Sequence, residues 1–110
     1  MNWIKIISTD KLSKEDFIAK MSVSGKKICL VRTQGNLFAI QNSCPHAGAQ
    51  LSNGWCSEGK IVCPYHRQEF DLQTGRGAEG QRNYVDTYPL DMRKDGLYIG
   101  IKKPWWKFWQ

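Results

Sequence analysis

One pattern constrains this sequence more than any other: Cys44-Pro45-His46, then Cys63-Pro64-Tyr65-His66. It has the form C-x-H, sixteen residues, then C-x-x-H, and it contains both of the chain's histidines. Two thiolates and two imidazoles complete the ligand set of one tetrahedral metal ion or of a two-iron cluster. Zinc fingers usually group their ligands by type, a cysteine pair followed by a histidine pair. Here each half supplies one of each. That suits two metal atoms, each loop giving a thiolate to one and an imidazole to the other. The other reading of the same residues is a zinc-stabilised pair of loops.

At 110 residues the chain has room for one domain with a modest core, and none for an added catalytic domain. We expect residues 1–110 to form that single domain, with a metal-binding insertion at about 42–71. The first residues, Met1-Asn2-Trp3-Ile4-Lys5-Ile6-Ile7-Ser8, lack the long apolar run and cleavage site of a signal peptide. No stretch approaches a membrane span in length, so a cytoplasmic location is expected. Two of the four cysteines belong to the pattern, leaving Cys29 in an apolar run and Cys56 between the loops. In a reducing compartment both are expected as free thiols. The formal charge is +6, but the basic residues are scattered from Lys5 to Lys107 without a dense run. That spread argues against nucleic acid and for a solvated surface or an acidic redox partner.

Strand and turn signals dominate the rest. Trp3–Ile7 is rich in β-branched and aromatic residues and predicts a first strand. Ser13-Lys14-Glu15-Asp16 predicts the start of one short helix toward Lys20, with Phe17, Ile18 and Met21 at helical spacing. Lys27–Thr33 and Leu37–Gln41, joined through Gln34-Gly35-Asn36, predict a hairpin. Lys60-Ile61-Val62 leads as a short strand into the second loop of the pattern, and Glu69–Leu72 leads out of it. Gly77 to Asn83 reads as a polar loop and Tyr84 to Met92 as one strand. Asp95-Gly96 then marks a hairpin into Leu97–Ile101. Short strands with turn signals about every 8 to 12 residues predict an all-β sandwich or barrel.

The pattern and its surroundings resemble the Rieske iron–sulfur family. The resemblance runs through Cys44-Pro45-His46-Ala47-Gly48 with Leu51, then Cys63-Pro64-Tyr65-His66 with Phe70-Asp71 and Thr74-Gly75. It implies a [2Fe-2S] cluster with Cys44 and Cys63 on the inner iron and His46 and His66 on the outer one. It also implies a Rieske-like antiparallel β-sheet sandwich or barrel with a small inserted cluster-binding subdomain. High-potential members of that family brace the two loops with a disulfide, at positions that here are Ala49 and Tyr65. They also use a serine donor to a bridging sulfide, where this chain has Gln68. Lacking both, the chain resembles the soluble Rieske-type ferredoxins. Its potential is expected in the lower part of the family's range of about −150 to +300 mV.

Other departures concern the surroundings. Arg67 stands where many members have glycine, exposed to steer an acidic partner or turned into a surface ion pair. Gly80-Gln81-Arg82 replaces a Gly-Pro-Ala covering loop, which predicts a softer loop. Residues 43–54 carry no charged side chain, a rim on which a redox partner could close near His46. Four aromatics crowd residues 105–109, as extra core, a docking anchor or an interfacial contact.

The resemblance implies an electron-transfer protein, not an enzyme. A Rieske oxygenase needs a mononuclear iron held by two histidines and a carboxylate. No histidine is left for one, and no nucleotide-binding fingerprint is present. The implied role is one-electron transfer from a reductase to a terminal oxygenase. The alternatives are a small Rieske-type subunit of a larger reductase such as nitrite reductase, and a zinc-stabilised interaction module.

Overall fold

The structure, a computed structural model, describes residues 1–45, 48–65 and 67–102. His46 and His66 fall outside these residues, as do the aromatics of 105–109. Ten strands make up the described chain: β1 Asn2–Ser8, β2 Phe17–Val23, β3 Lys26–Thr33, β4 Asn36–Gln41, β5 Trp55–Ser57, β6 Lys60–Val62, β7 Glu69–Asp71, β8 Thr87–Tyr88, β9 Leu90–Arg93 and β10 Gly96–Ile101. They form three antiparallel sheets, ordered β1-β10-β9, β2-β3-β4-β8 and β5-β6-β7. The all-β expectation holds.

Local turn chemistry sets much of this. Ser24-Gly25, Gln34-Gly35 and Glu58-Gly59 each take two successive positive φ values, closing the hairpins β2–β3, β3–β4 and β5–β6. Paired positive φ values match the twist of the flanking strands, and glycine in second place adopts them without a Cβ penalty.

β3 is the strand on which the layers meet. Ile28 and Leu30 face the β1-β10-β9 sheet, packing with Ala39, Leu97, Ile99 and Ile101. Cys29 and Val31 face the opposite way, toward Ile40, Cys44, Leu51, Ile61, Cys63 and Phe70. Because it is buried on both faces, its apolar run is continuous and does not alternate. One core therefore joins the two larger sheets, and the other joins the middle sheet to the β5-β6-β7 unit. Residues 42–86 leave from the end of β4 and return at β8, which pairs with β4 at Ala39–Tyr88 and Ile40–Thr87.

Two expectations need correction. The helix from Ser13 toward Lys20 is absent, and β2 occupies Phe17–Val23, paired to β3 along all seven residues. Ser13 Oγ accepts the N–H of Glu15, two residues on, at 3.1 Å, which makes a turn and no cap. Phe17, Met21 and Val23 pack into one core while Ile18 packs into the other, a period of two that the pairing with β3 enforces. Tyr84 to Met92 is likewise not one strand. Pro89, which has no N–H to donate, separates β8 and β9, and these belong to different sheets. The Asp95-Gly96 hairpin does form, but Gly96 is not a left-handed turn residue; a Cβ there would strike the carbonyl of Ile7 on β1. The strand β5, at Trp55–Ser57, had no expectation.

Candidate metal centre

Two hairpin tips bring the cysteines of the pattern together. The first runs from Cys44 and is closed by Cys44 N–H donating to the Ala49 carbonyl at 2.7 Å. The second runs from Cys63 and is closed by Cys63 N–H donating to the Gln68 carbonyl, also at 2.7 Å. Each bond spans cysteine to the fifth residue on. In each, the fourth residue on is left-handed, Gly48 at φ +68° and Arg67 at φ +52°. The described parts of the two loops thus share one closing hydrogen bond and one left-handed position, and in sequence each loop carries one histidine of the pattern.

Both thiols are buried, Cys44 at 1 % exposure and Cys63 at 0 %, in the core between the middle sheet and the β5-β6-β7 unit. They are neighbours in that core, close enough for the Cys44 thiol to raise that of Cys63. Burial pushes the Cys63 thiol up, the Tyr65 backbone N–H bonded to it pulls it down, and the adjacent Cys44 raises it again. A pair of thiols this close and this dry is costly to ionise unless a cation takes up the charge. That donor set, two sulfurs converging in an apolar pocket with an imidazole-bearing residue on each loop, fits a metal centre.

The base of the site is pinned by a residue the sequence reading missed. Asn42 is 4 % exposed and is the buried polar side chain among the described residues. Its N–H donates to the Lys27 carbonyl on β3 at 3.0 Å. Its own carbonyl accepts from Leu51 N–H at 2.7 Å and its Oδ1 from Ser52 N–H at 2.8 Å. The first loop is thereby fastened to the sandwich on both of its arms. An asparagine directly after an apolar strand and two residues before a cysteine of the pattern was the available signal.

The rim of the second loop is open. Pro64, Tyr65 and Arg67 are exposed, and Arg67 makes no ion pair among the described residues. The 77–83 loop, expected to be soft without a proline, is instead tied down: Gly77 N–H donates to the Asn83 carbonyl at 3.1 Å and Ala78 N–H to the Glu69 carbonyl at 3.0 Å. Gln68, which stands in the serine position, turns its side-chain oxygen to Asn83 Nδ2 at 2.8 Å. Cys29 is wholly buried and Cys56 partly so, and both are free thiols in the same core. No helix among the described residues is long and apolar enough to cross a membrane.

Comparison with known proteins agrees with this geometry. Residues 2–89 match the family described as the Rieske [2Fe-2S] domain. The ferredoxin component of the naphthalene 1,2-dioxygenase/salicylate 5-hydroxylase systems of Ralstonia sp is 32 % identical over 90 residues, 81 % of this chain and 86 % of that protein. Among solved structures, the ferredoxin of carbazole 1,9a-dioxygenase from Nocardioides aromaticivorans superposes with a TM-score of 0.79 at 27 % identity, covering 93 % of this chain and 100 % of that one. The putative NADH-dependent nitrite reductase small subunit from Mycobacterium tuberculosis shares the fold, with a TM-score of 0.80 at 22 % identity over 94 % of this chain and 97 % of that one.

Proposed function

Because the chain belongs to the Rieske [2Fe-2S] domain family, we propose that Cys44 and Cys63 hold one iron of a [2Fe-2S] cluster and His46 and His66 the other. The protein is then a one-electron carrier between a reductase and a terminal oxygenase. The observation that supports the assignment is the meeting of Cys44 and Cys63 in one buried core, each at the start of a loop closed by the same hydrogen bond. Held there, such a cluster would supply one-electron redox chemistry.

The chain's own part is to hold that site still and accessible. Pro45 and Pro64 each follow a ligand cysteine and restrict the backbone there. Asn42 anchors the first loop to β3, and Phe70, fully buried, anchors the strand leaving the second. The exposed Pro45, Gly48, Pro64 and Tyr65 leave the tips uncharged and open to a docking surface, with Arg67 beside them to attract a carboxylate.

The carrier reading is favoured over a reductase subunit by relatives that are separate ferredoxin components of similar length. A cytoplasmic location belongs to the same proposal, since free Cys29 and Cys56 thiols suit a reducing compartment. Metal analysis with visible and electron paramagnetic resonance spectra tests the site. A red-brown protein with two irons and, when reduced, a low average g-value is expected; a colourless protein with one zinc overturns it. His66→Cys puts a thiolate in place of a neutral imidazole, so the potential should fall. An unchanged potential removes His66 from the ligand set.

A further inference from the structure

A line of three side-chain amides links the second ligand loop to the 77–83 loop. Glu69 N–H donates to Gln81 Oε1 at 3.0 Å, Gln81 Nε2 donates to Asn83 Oδ1 at 3.1 Å, and Asn83 Nδ2 donates to Gln68 Oε1 at 2.8 Å. Gln81 and Asn83 each accept with the oxygen and donate with the nitrogen, and Gln68 accepts at the end, so the three align head to tail and polarise one another. The line ends on Gln68, whose backbone carbonyl already closes the ligand loop by accepting from Cys63 N–H at 2.7 Å. All three side chains are half-buried.

The backbone beneath is shaped to fit. A Cβ on Gly77 would lie 2.7 Å from the Asn83 carbonyl and 2.8 Å from Gln81 Nε2. Only a residue without a side chain lets Gln81 lie across that position and reach Asn83. The amides and the glycine are separate observations of one arrangement.

We infer that Gln81, Asn83 and Gln68 are positioning residues, a clasp that locks the 77–83 loop onto the second ligand loop and shields the Cys63 side of the site from water. The inference rests on the ligand assignment proposed above. The clasp carries no charge, so breaking it alters order and water access while the net charge of the site stays the same. Reduction adds a negative charge, and water stabilises that charge better than a dry surface does. A loosened clasp should therefore raise the potential and let the metal escape faster.

The test uses the full chain loaded with its cluster, as wild type, Asn83→Ala and Gly77→Ala. Asn83→Ala removes the central amide; Gly77→Ala leaves every hydrogen-bonding group in place and only displaces the clasp. Three quantities are measured: cluster loss to EDTA, hydrogen exchange of the 67–71 amides by mass spectrometry, and the midpoint potential. Both variants should lose the cluster about tenfold faster, the scale of one buried hydrogen bond. Both should also exchange faster at 67–71 and show an upward shift in potential. Wild-type release and potential in both variants would overturn the inference, and so would faster release with an unmoved potential, which marks a role in stability alone. If the wild-type chain takes up no two-iron cluster, the ligand assignment fails, and the inference with it, before any variant is compared.

Discussion

Arg67 occupies in the second loop the left-handed position that Gly48 occupies in the first, four residues after the loop's cysteine in each case. A Cβ there costs roughly 1 kcal/mol against the following carbonyl. Arg67→Gly relieves that strain while giving the unfolded chain more freedom, so the net gain should be at most about 1 kcal/mol. A rise in the urea midpoint checks it; a fall would mean that contacts of the guanidinium outweigh the strain. Cys29 makes a second residue-scale prediction. Burial, reinforced by the neighbouring Cys56, pushes its thiol from 9.0 to about 12. Between these values the unfolded chain has lost the proton and the folded chain has kept it. Stability therefore drops as pH rises from about 9 toward 12. Cys29→Ala should flatten that part of the stability–pH curve, measured by denaturant midpoints across the range, whereas an equally steep curve would clear Cys29 of the effect.

At the scale of elements, the ligand loops are only as rigid as the strands that carry them. Phe70 on β7 is wholly buried against Ile61, Leu72 and Val85 in the core that also holds both cysteines. Phe70→Ala should cost about 3–5 kcal/mol, seen as a lower denaturant midpoint, and should loosen the second loop along with it. Asn42→Ala strands the Ser52 N–H that its Oδ1 satisfies. A loss of about 1–3 kcal/mol is expected, with faster hydrogen exchange confined to residues near 42–52. Exchange spread evenly over the chain would mean that Asn42 serves the whole core and not the first loop. β2 shows how the setting of an element overrides its own signals. Phe17, Ile18 and Met21 satisfy a helical period, yet the hairpin turn at Ser24-Gly25 folds the segment onto β3, where a period of two buries it better.

The whole molecule carries a formal charge of +6, and the ion pairs Lys5–Asp95 and Arg93–Asp91 among its described residues are both exposed. Such pairs contribute little to stability, so the excess charge matters mainly for encounter. Oxidation of the reduced protein by hexacyanoferrate(III), an anion, should slow as ionic strength rises. Stopped-flow rates from low to high salt measure the slope. A flat or rising slope would show that the field at the ligand tips is not that of the molecule as a whole.

The cysteine–histidine pattern, the Gln34-Gly35 turn and the apolar run of β3 were legible in the sequence because each depends on near neighbours. Spacing singled out Cys44 and Cys63, and the glycine-containing link Gln34-Gly35-Asn36 marked the hairpin of β3 and β4. What the chain order could not disclose was decided by partners far along it: β2 became a strand by pairing with β3, and Pro89 divided one apolar run between two sheets. Asn42 acquired its role from backbone groups nine and ten residues away and on another strand, and the Gln81–Asn83–Gln68 line from a meeting of two loops. Hydrogen bonds between side chains depend on where the backbone has already gone, so polar residues that look like ordinary loop in the sequence become supports only after folding.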